Sequence, residues 1–202
     1  MKLCYVFIFV SFIISCRDNS NHKKKETFTN LLVDSLLVQG LSNKALALNI
    51  PQINKGVDSF ELRIWHGMTI AQPKHLITLK YQNSKWHLFE TNYWIRYEWE
   101  NGSPQDVIFD SSFVQSLPIP FNISSLVDSI FHFGLDSFPS QHEIPEFRDR
   151  VADGMFYAIE IATPQYYKAL AFSNPERYTD AYNRRITQLL ISLKKIGVFT
   201  PF

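Results

Sequence analysis

Four stretches of this chain alternate apolar and polar residues with a period of two, and no other feature restricts its fold as much. Phe60, Leu62 and Ile64 alternate with Glu61, Arg63 and Trp65. His75, Ile77, Leu79 and Tyr81 alternate with Leu76, Thr78 and Lys80. Phe89, Tyr93, Ile95, Tyr97 and Trp99 alternate with Glu90, Asn92, Arg96 and Glu98, and Met155, Tyr157, Ile159 and Ile161 repeat the pattern. Successive side chains of a strand point to opposite faces, so such alternation predicts a sheet with one buried and one more polar face. That is the signature of antiparallel pairing. Residues 82–85 read as a hairpin turn, Asn101-Gly102 as a turn into a short strand near 107–109, and Asp153-Gly154 as another tight turn. Residues 166–172 complete a set of about six strands.

Helical spacing appears in three places. Phe28, Leu31, Leu32 and Leu36 predict a helix over 27–38, with Gly40 as its stop. Pro118 and Pro120 break the chain before a short helix over 124–133, with Gly134 at its end. The last helix is the clearest. Asn174 suits its cap, Pro175 its first position and Glu176 the positive end of its dipole. Tyr178, Tyr182, Ile186, Leu189, Leu190 and Leu193 form its stripe, and Lys194, Lys195 and Gly197 close it. The expected fold is α+β: a predominantly antiparallel sheet of about six strands with the C-terminal amphipathic helix packed on one face.

The first fifteen residues have the three parts of an export signal: Lys2, an apolar run over 5–14, and the small residue Ser15. The run is shorter than the roughly 20 residues of a spanning helix. It closes on Ile13-Ile14-Ser15-Cys16, which resembles the lipobox of bacterial lipoproteins; an ordinary secretory signal or an uncut anchor is the alternative. The resemblance implies that the Cys16 thiol takes a diacylglycerol, that cleavage follows Ser15, and that the new amino end gains a fatty acyl chain such as palmitate. Each buried methylene contributes about 0.8 kcal/mol, so several chains on one residue hold a protein firmly on a membrane. Cys4 would leave with the signal and the Cys16 sulfur would become a thioether. The mature chain would then have neither thiol nor disulfide, and its stability would rest on its core.

About 187 residues follow the cut, enough for one domain with a substantial core. The full chain has 17 Phe, 9 Tyr and only 7 Gly, a globular profile. Its 20 basic residues less Lys2 leave 19, against 19 acidic ones. A near-zero charge argues against nucleic acid as a partner. Residues 16–26 read as a lipidated polar tether. Its Lys23, Lys24 and Lys25 either touch anionic lipid, at about 1 kcal/mol each, or simply solvate a linker. Residues 27–202 read as one globular domain.

The body resembles a group of Bacteroidota envelope lipoproteins of unknown function. The resemblance rests on Glu61-Leu62-Arg63-Ile64-Trp65, Glu143-Ile144-Pro145, Asp153-Gly154, Glu160-Ile161-Ala162-Thr163 and the closing Asn174-Pro175 helix, and runs over residues 60–199. It implies a folded domain on the bacterial cell envelope, at the outer membrane, with the side left open. The expected partners are membrane lipid, through the Cys16 anchor, and an envelope protein or glycan. It carries no activity.

The residues themselves hold no nucleophile elbow, phosphate loop or dinucleotide fingerprint, and His142-Glu143 lacks the second His of a zincin. No cofactor or metal is expected, and the chain leans away from enzymes. His66, His75 and His87 form the one histidine group. A hairpin of 60–66 with 75–81 brings His66 and His75 together at one end of the core face, near Thr91 or Asn92. It leaves His87 about 17 Å from His75, so no triad converges. The pair either marks a hydrolase site or closes the end of the core. Glu90, Glu98 and Glu100 offer paired carboxylates, or an ordinary solvated strand face. Trp65 and Trp94, among Arg63, Arg96 and the acids of the polar face, form a stacking platform for a glycan or partner. The alternative is that the 27–38 helix buries both rings. Arg63 and Arg96 can fork onto a carboxylate there. A binding or scaffolding protein on the envelope membrane is the function these features favour.

Overall fold

The computed structural model describes residues 29–30, 34–68, 73–100, 103–132, 134–145, 147–148 and 154–195. Cys16 and its lipobox, the tether, the Asn101-Gly102 turn, Asp153 and Gly197 lie outside the described residues. Seven strands form one sheet: β1 (Thr29–Asn30), β2 (Phe60–Met68), β3 (Lys74–Gln82), β4 (Lys85–Glu100), β5 (Ser103–Leu117), β6 (Met155–Ala162) and β7 (Tyr166–Ser173). Their order is β1-β7-β6-β2-β3-β4-β5. Six strands pair antiparallel, and the two-residue β1 joins the β7 edge in parallel. With helices α1 (Ser35–Ala47), α2 (Ile123–His132) and α3 (Ala181–Lys195), this is an α+β fold.

Period two explains the first core. Phe60, Leu62 and Ile64 of β2, Ile77 and Leu79 of β3, and Ile159 and Ile161 of β6 meet Leu126, Val127 and Ile130 of α2. Ile186, Leu189, Leu190 and Leu193 of α3 complete that layer, so the C-terminal helix packs on this face. The opposite face is buried too, which the alternation did not foretell. Trp65, Leu76, Tyr93, Ala158, Ala162, Tyr167 and Ala169 pack there with Ile53 and with Leu41 of α1. Central strands roofed on both sides read as continuous apolar runs, and residues 157–162 of β6 are all buried.

Helix boundaries moved where capping outweighed apolar spacing. α1 begins at Ser35, because the Asp34 carboxylate accepts the N–H groups of Leu36 and Leu37 at 2.9 and 3.2 Å. It runs through Gly40 and stops where Asn49 turns left-handed at φ 54°. The expected 27–38 helix is thus displaced toward the C-terminus. Leu36, counted on its stripe, faces water, whereas Leu41 and Ala45 face the sheet. α3 likewise begins just after Asp180, whose Oδ1 accepts from the N–H groups of Tyr182 and Asn183. Asn174 does not cap it. That residue sits left-handed at φ 44° and braces β6, its Oδ1 accepting the Met155 N–H at 2.9 Å. Gly154 makes room for this brace, since a Cβ there would lie 1.8 Å from Asn174 Oδ1. The short strand expected near 107–109 is the 15-residue β5. Much of this edge strand is open on both faces, so it has no buried face to impose a period.

Candidate functional site

Strand register determines which polar side chains meet. His66 pairs with His75 across β2 and β3, Asn92 follows on β4 and Tyr157 flanks on β6, so one row of the α2/α3 face reads Tyr157, His66, His75, Asn92. The two imidazoles stack with centroids 4.9 Å apart and planes within 10°. Burial, and then the neighbouring His75, lower the His66 pKa to about 3. Glu90, one row away, brings Oε1 to 3.5 Å from His75 Nδ1 and accepts a short bond from Gln115 Nε2 on its other oxygen. Glu90 was expected to share a face with Glu98 and Glu100, whose side chains lie outside the described residues. His87 pairs with Lys80 and stacks on Phe89, remote from the row. No group of three His, Cys, Asp or Glu able to hold a metal occurs among the described residues.

The aromatic platform divides. Trp65 is 1 % exposed, beneath α1 in the second core, and its Nε1–H donates to Glu160 Oε2 at 2.6 Å. Tyr167 Oη donates to the other oxygen at 2.7 Å. Burial raises the Glu160 pKa, and these two bonds and the Arg63 charge pull against it. Arg63 is also buried. Its Nε and Nη2 both lie 2.7 Å from Glu61 Oε1, and Nη2 reaches the Pro51 carbonyl at 2.7 Å. These two residues therefore build the interior and leave no open fork or ring. The physical reason is α1, whose true position covers β2. Trp94 lies on the opposite face of the sheet, 36 % exposed, and Arg96 stands in water, 3.4 Å from Asp110. Register thus buries Arg63 and Trp65 together beside Glu160 and leaves Trp94 and Arg96 elsewhere, so the four do not form one shared site.

A different aromatic set does converge. Asn83 and Ser84 both take positive φ, 51° and 60°, which is the mirror-image turn that matches strand twist. The turn sets Tyr81 opposite Trp86, and β2 sets Phe60 opposite Tyr81. Trp86 lies edge-on to Phe60 with centroids 5.7 Å apart, and Tyr81 is 5.0 Å from Trp86. Phe131 of α2 closes on Phe60 at 5.7 Å. These rings, with Val127, Pro164, Ser59, Thr163 and Gln165, line an open hollow of about 410 Å³ at the end of the sheet. A more polar hollow of about 610 Å³ adjoins it, sharing Ser59, Phe60 and Tyr81 and adding Asp58, Glu61 and Lys80. Sequence reasoning found the turn but not the groove. The available signal was the pair of aromatic residues symmetric about that turn. Comparison with protein-family models, with curated proteins and with solved structures finds no match for this chain.

Proposed function

We propose that this chain is a lipid-anchored binding protein of the bacterial cell envelope, held at the outer membrane through Cys16, and that its ligand seats in the groove of Phe60, Tyr81, Trp86 and Phe131. The convergence of four rings on one open hollow carries the reading. Tyr81, Trp86 and Phe131 stand partly in water around a buried Phe60, at a cost of roughly 25 cal/mol per Å² of apolar surface, and a ligand that covers them recovers that free energy. The hollow falls within the roughly 300–1,000 Å³ range of small-molecule sites. Apolar walls beside a polar hollow favour an amphipathic ligand that bears a ring, such as a glycan unit or an aromatic metabolite. The anchor rests on Ile13-Ile14-Ser15-Cys16 and its likeness to a lipobox.

Titration with the dye 1-anilinonaphthalene-8-sulfonate tests the groove. Saturable binding at one site, weakened about tenfold in Trp86→Ala, is expected. Equal affinity in the variant would overturn the reading. Labelled palmitate should enter the wild type and not Cys16→Ser.

One observation favours a hydrolase as a second reading, namely Glu90 placed to orient His75. Hydrolysis of ester or glycoside substrates that survives His75→Gln would remove it. A carbohydrate platform built on both Trp65 and Trp94 is not retained, because Trp65 lies in the core.

A further inference from the structure

Strand directions gather several chain segments at one end of the sheet. β2 begins there at Phe60, and antiparallel β3 ends there and turns through Asn83 and Ser84 into β4. β5 leaves at the same end, since Leu117 pairs with Leu88, and continues through residues 118–122 into α2. β6 ends there with Ala162 opposite Glu61, and residues 163–165 return the chain into β7 at Tyr166. β1 runs parallel to β7 with Thr29 opposite Tyr166, so the chain enters its fold at this end as well. The end is apolar at its tip and basic around it. Phe121 is fully exposed, Phe131 43 %, Ile119 38 % and Tyr81 36 % exposed, and Trp86 is half-buried. Pro118 and Pro120 flank Ile119 outside the sheet, because proline gives no N–H to a ladder. Lys55, Lys80 and Lys85 stand among these groups with Asp58, Glu61 and, along α2, Asp128. Glu61 is taken up by Arg63.

We infer that this end of the sheet is a membrane-docking face, at which Ile119 and Phe121 enter the interface of an anionic bilayer while Tyr81, Trp86 and the lysines meet its headgroups. The inference rests on the lipid anchor proposed at Cys16. Where the chain enters the fold selects the bilayer over other occupants. Cys16 stands thirteen residues before Thr29, a span of at most about 45 Å. The anchored lipid therefore stays within that radius of the end that carries the apolar tip. Bringing the opposite end to the bilayer would require the tether to run back along the eight residues of β7, about 26 Å. A protein or peptide partner gains nothing from this placement, whereas the anchor raises the effective concentration of the bilayer at this face. The side chains suit that surface. Trp and Tyr concentrate at membrane interfaces, and lysine stems cross apolar surface to carry their charge to phosphate. Lys23, Lys24 and Lys25 of the tether join the chain at the same end and add to that attraction. Ile119 and Phe121 line neither hollow, so this face can be tested apart from the ligand groove.

Fluorescence quenching of the full lipoprotein in vesicles of phosphatidylethanolamine and phosphatidylglycerol tests it. Lipidation leaves no other thiol, so Ser124→Cys in the first turn of α2, or Glu176→Cys beyond the opposite end of β7, carries a single nitrobenzoxadiazole label. The label on Ser124→Cys should be quenched by phospholipid spin-labelled at a shallow acyl position, and the label on Glu176→Cys should not. Adding Ile119→Asp and Phe121→Asp should abolish that quenching while circular dichroism and the mass of the attached lipid stay unchanged, because both side chains are exposed. A lipidated chain whose Ser124→Cys label stays unquenched, equal quenching at both positions, or quenching that survives both aspartates would overturn the inference and leave the anchor standing. Quenching in native membranes but not in the protein-free vesicles would assign the face to a protein partner and overturn it likewise. A chain whose mass shows no lipid would remove the anchor, and this inference with it.

Discussion

Replacing Trp65 with Phe separates packing from hydrogen bonding in the second core. The ring is almost fully enclosed, and its Nε1–H donates at 2.6 Å to a carboxylate that is itself buried. Aromatic side chains bury 150–250 Å², so the area lost is at most about 100 Å², or about 2.5 kcal/mol. Removing a donor from a buried carboxylate costs about 1–3 kcal/mol more. The bond favours ionised Glu160, so its loss raises the already raised pKa further. A carboxyl with a raised folded pKa binds protons more tightly than the unfolded chain does. Folded stability therefore falls as pH rises above the ordinary carboxylate range, until Glu160 ionises in the native state. The penalty of Trp65→Phe should accordingly be smaller in acid and larger at alkaline pH. Urea unfolding followed by circular dichroism at pH 5 and pH 8 measures it. In a Glu160→Gln background the pH dependence should vanish, and the cycle should show coupling of about 1 kcal/mol or more. Equal losses at both pH values, with coupling near zero, would refute the reasoning.

Three further outcomes follow from the geometry. His66 is neutral in the fold with its pKa lowered to about 3, so the unfolded chain binds the extra proton between about pH 6.5 and 3. Stability is full above that window and falls through it by up to about 5 kcal/mol; His66→Leu should flatten this limb in acid unfolding curves. Gly154→Ala drives a methyl into Asn174 and should break its bond to Met155, lowering stability by about 1–3 kcal/mol in thermal unfolding. Asn183, fully buried between Gln141 and Asp180, ties α3 to the β7 edge. Asn183→Ala should cost about 2–4 kcal/mol, and hydrogen exchange should quicken at the Ser173 amide.

What was legible in the sequence follows from how many faces an element buries. β2, β3 and β6 could be read because their first-core residues alternate strictly, and the pairing of His66 with His75 came with that register. The sheet order across β6 and β2 joins residues nearly a hundred positions apart, and no local pattern encodes it. α1 was misplaced because Leu31, Leu32 and Leu36 mimic a stripe, while the decisive signal was one carboxylate, Asp34, at the cap. That displacement altered the reading of Trp65, since exposure of a ring depends on which helix covers it. The groove depends on Phe131, far in sequence from the Tyr81–Trp86 turn, and arises only when α2 folds back over β2.

The most direct test of the binding account is the indole region of a nitrogen-15 correlation spectrum. The chain has 4 tryptophans and thus one indole N–H signal from each. Assignment by Trp86→Phe identifies the groove signal, and 1-anilinonaphthalene-8-sulfonate is then titrated into the wild type. The account predicts a saturable shift of the Trp86 indole at one equivalent, with the Trp65 signal unmoved. A titration that moves the Trp94 signal alone, or none, would contradict it.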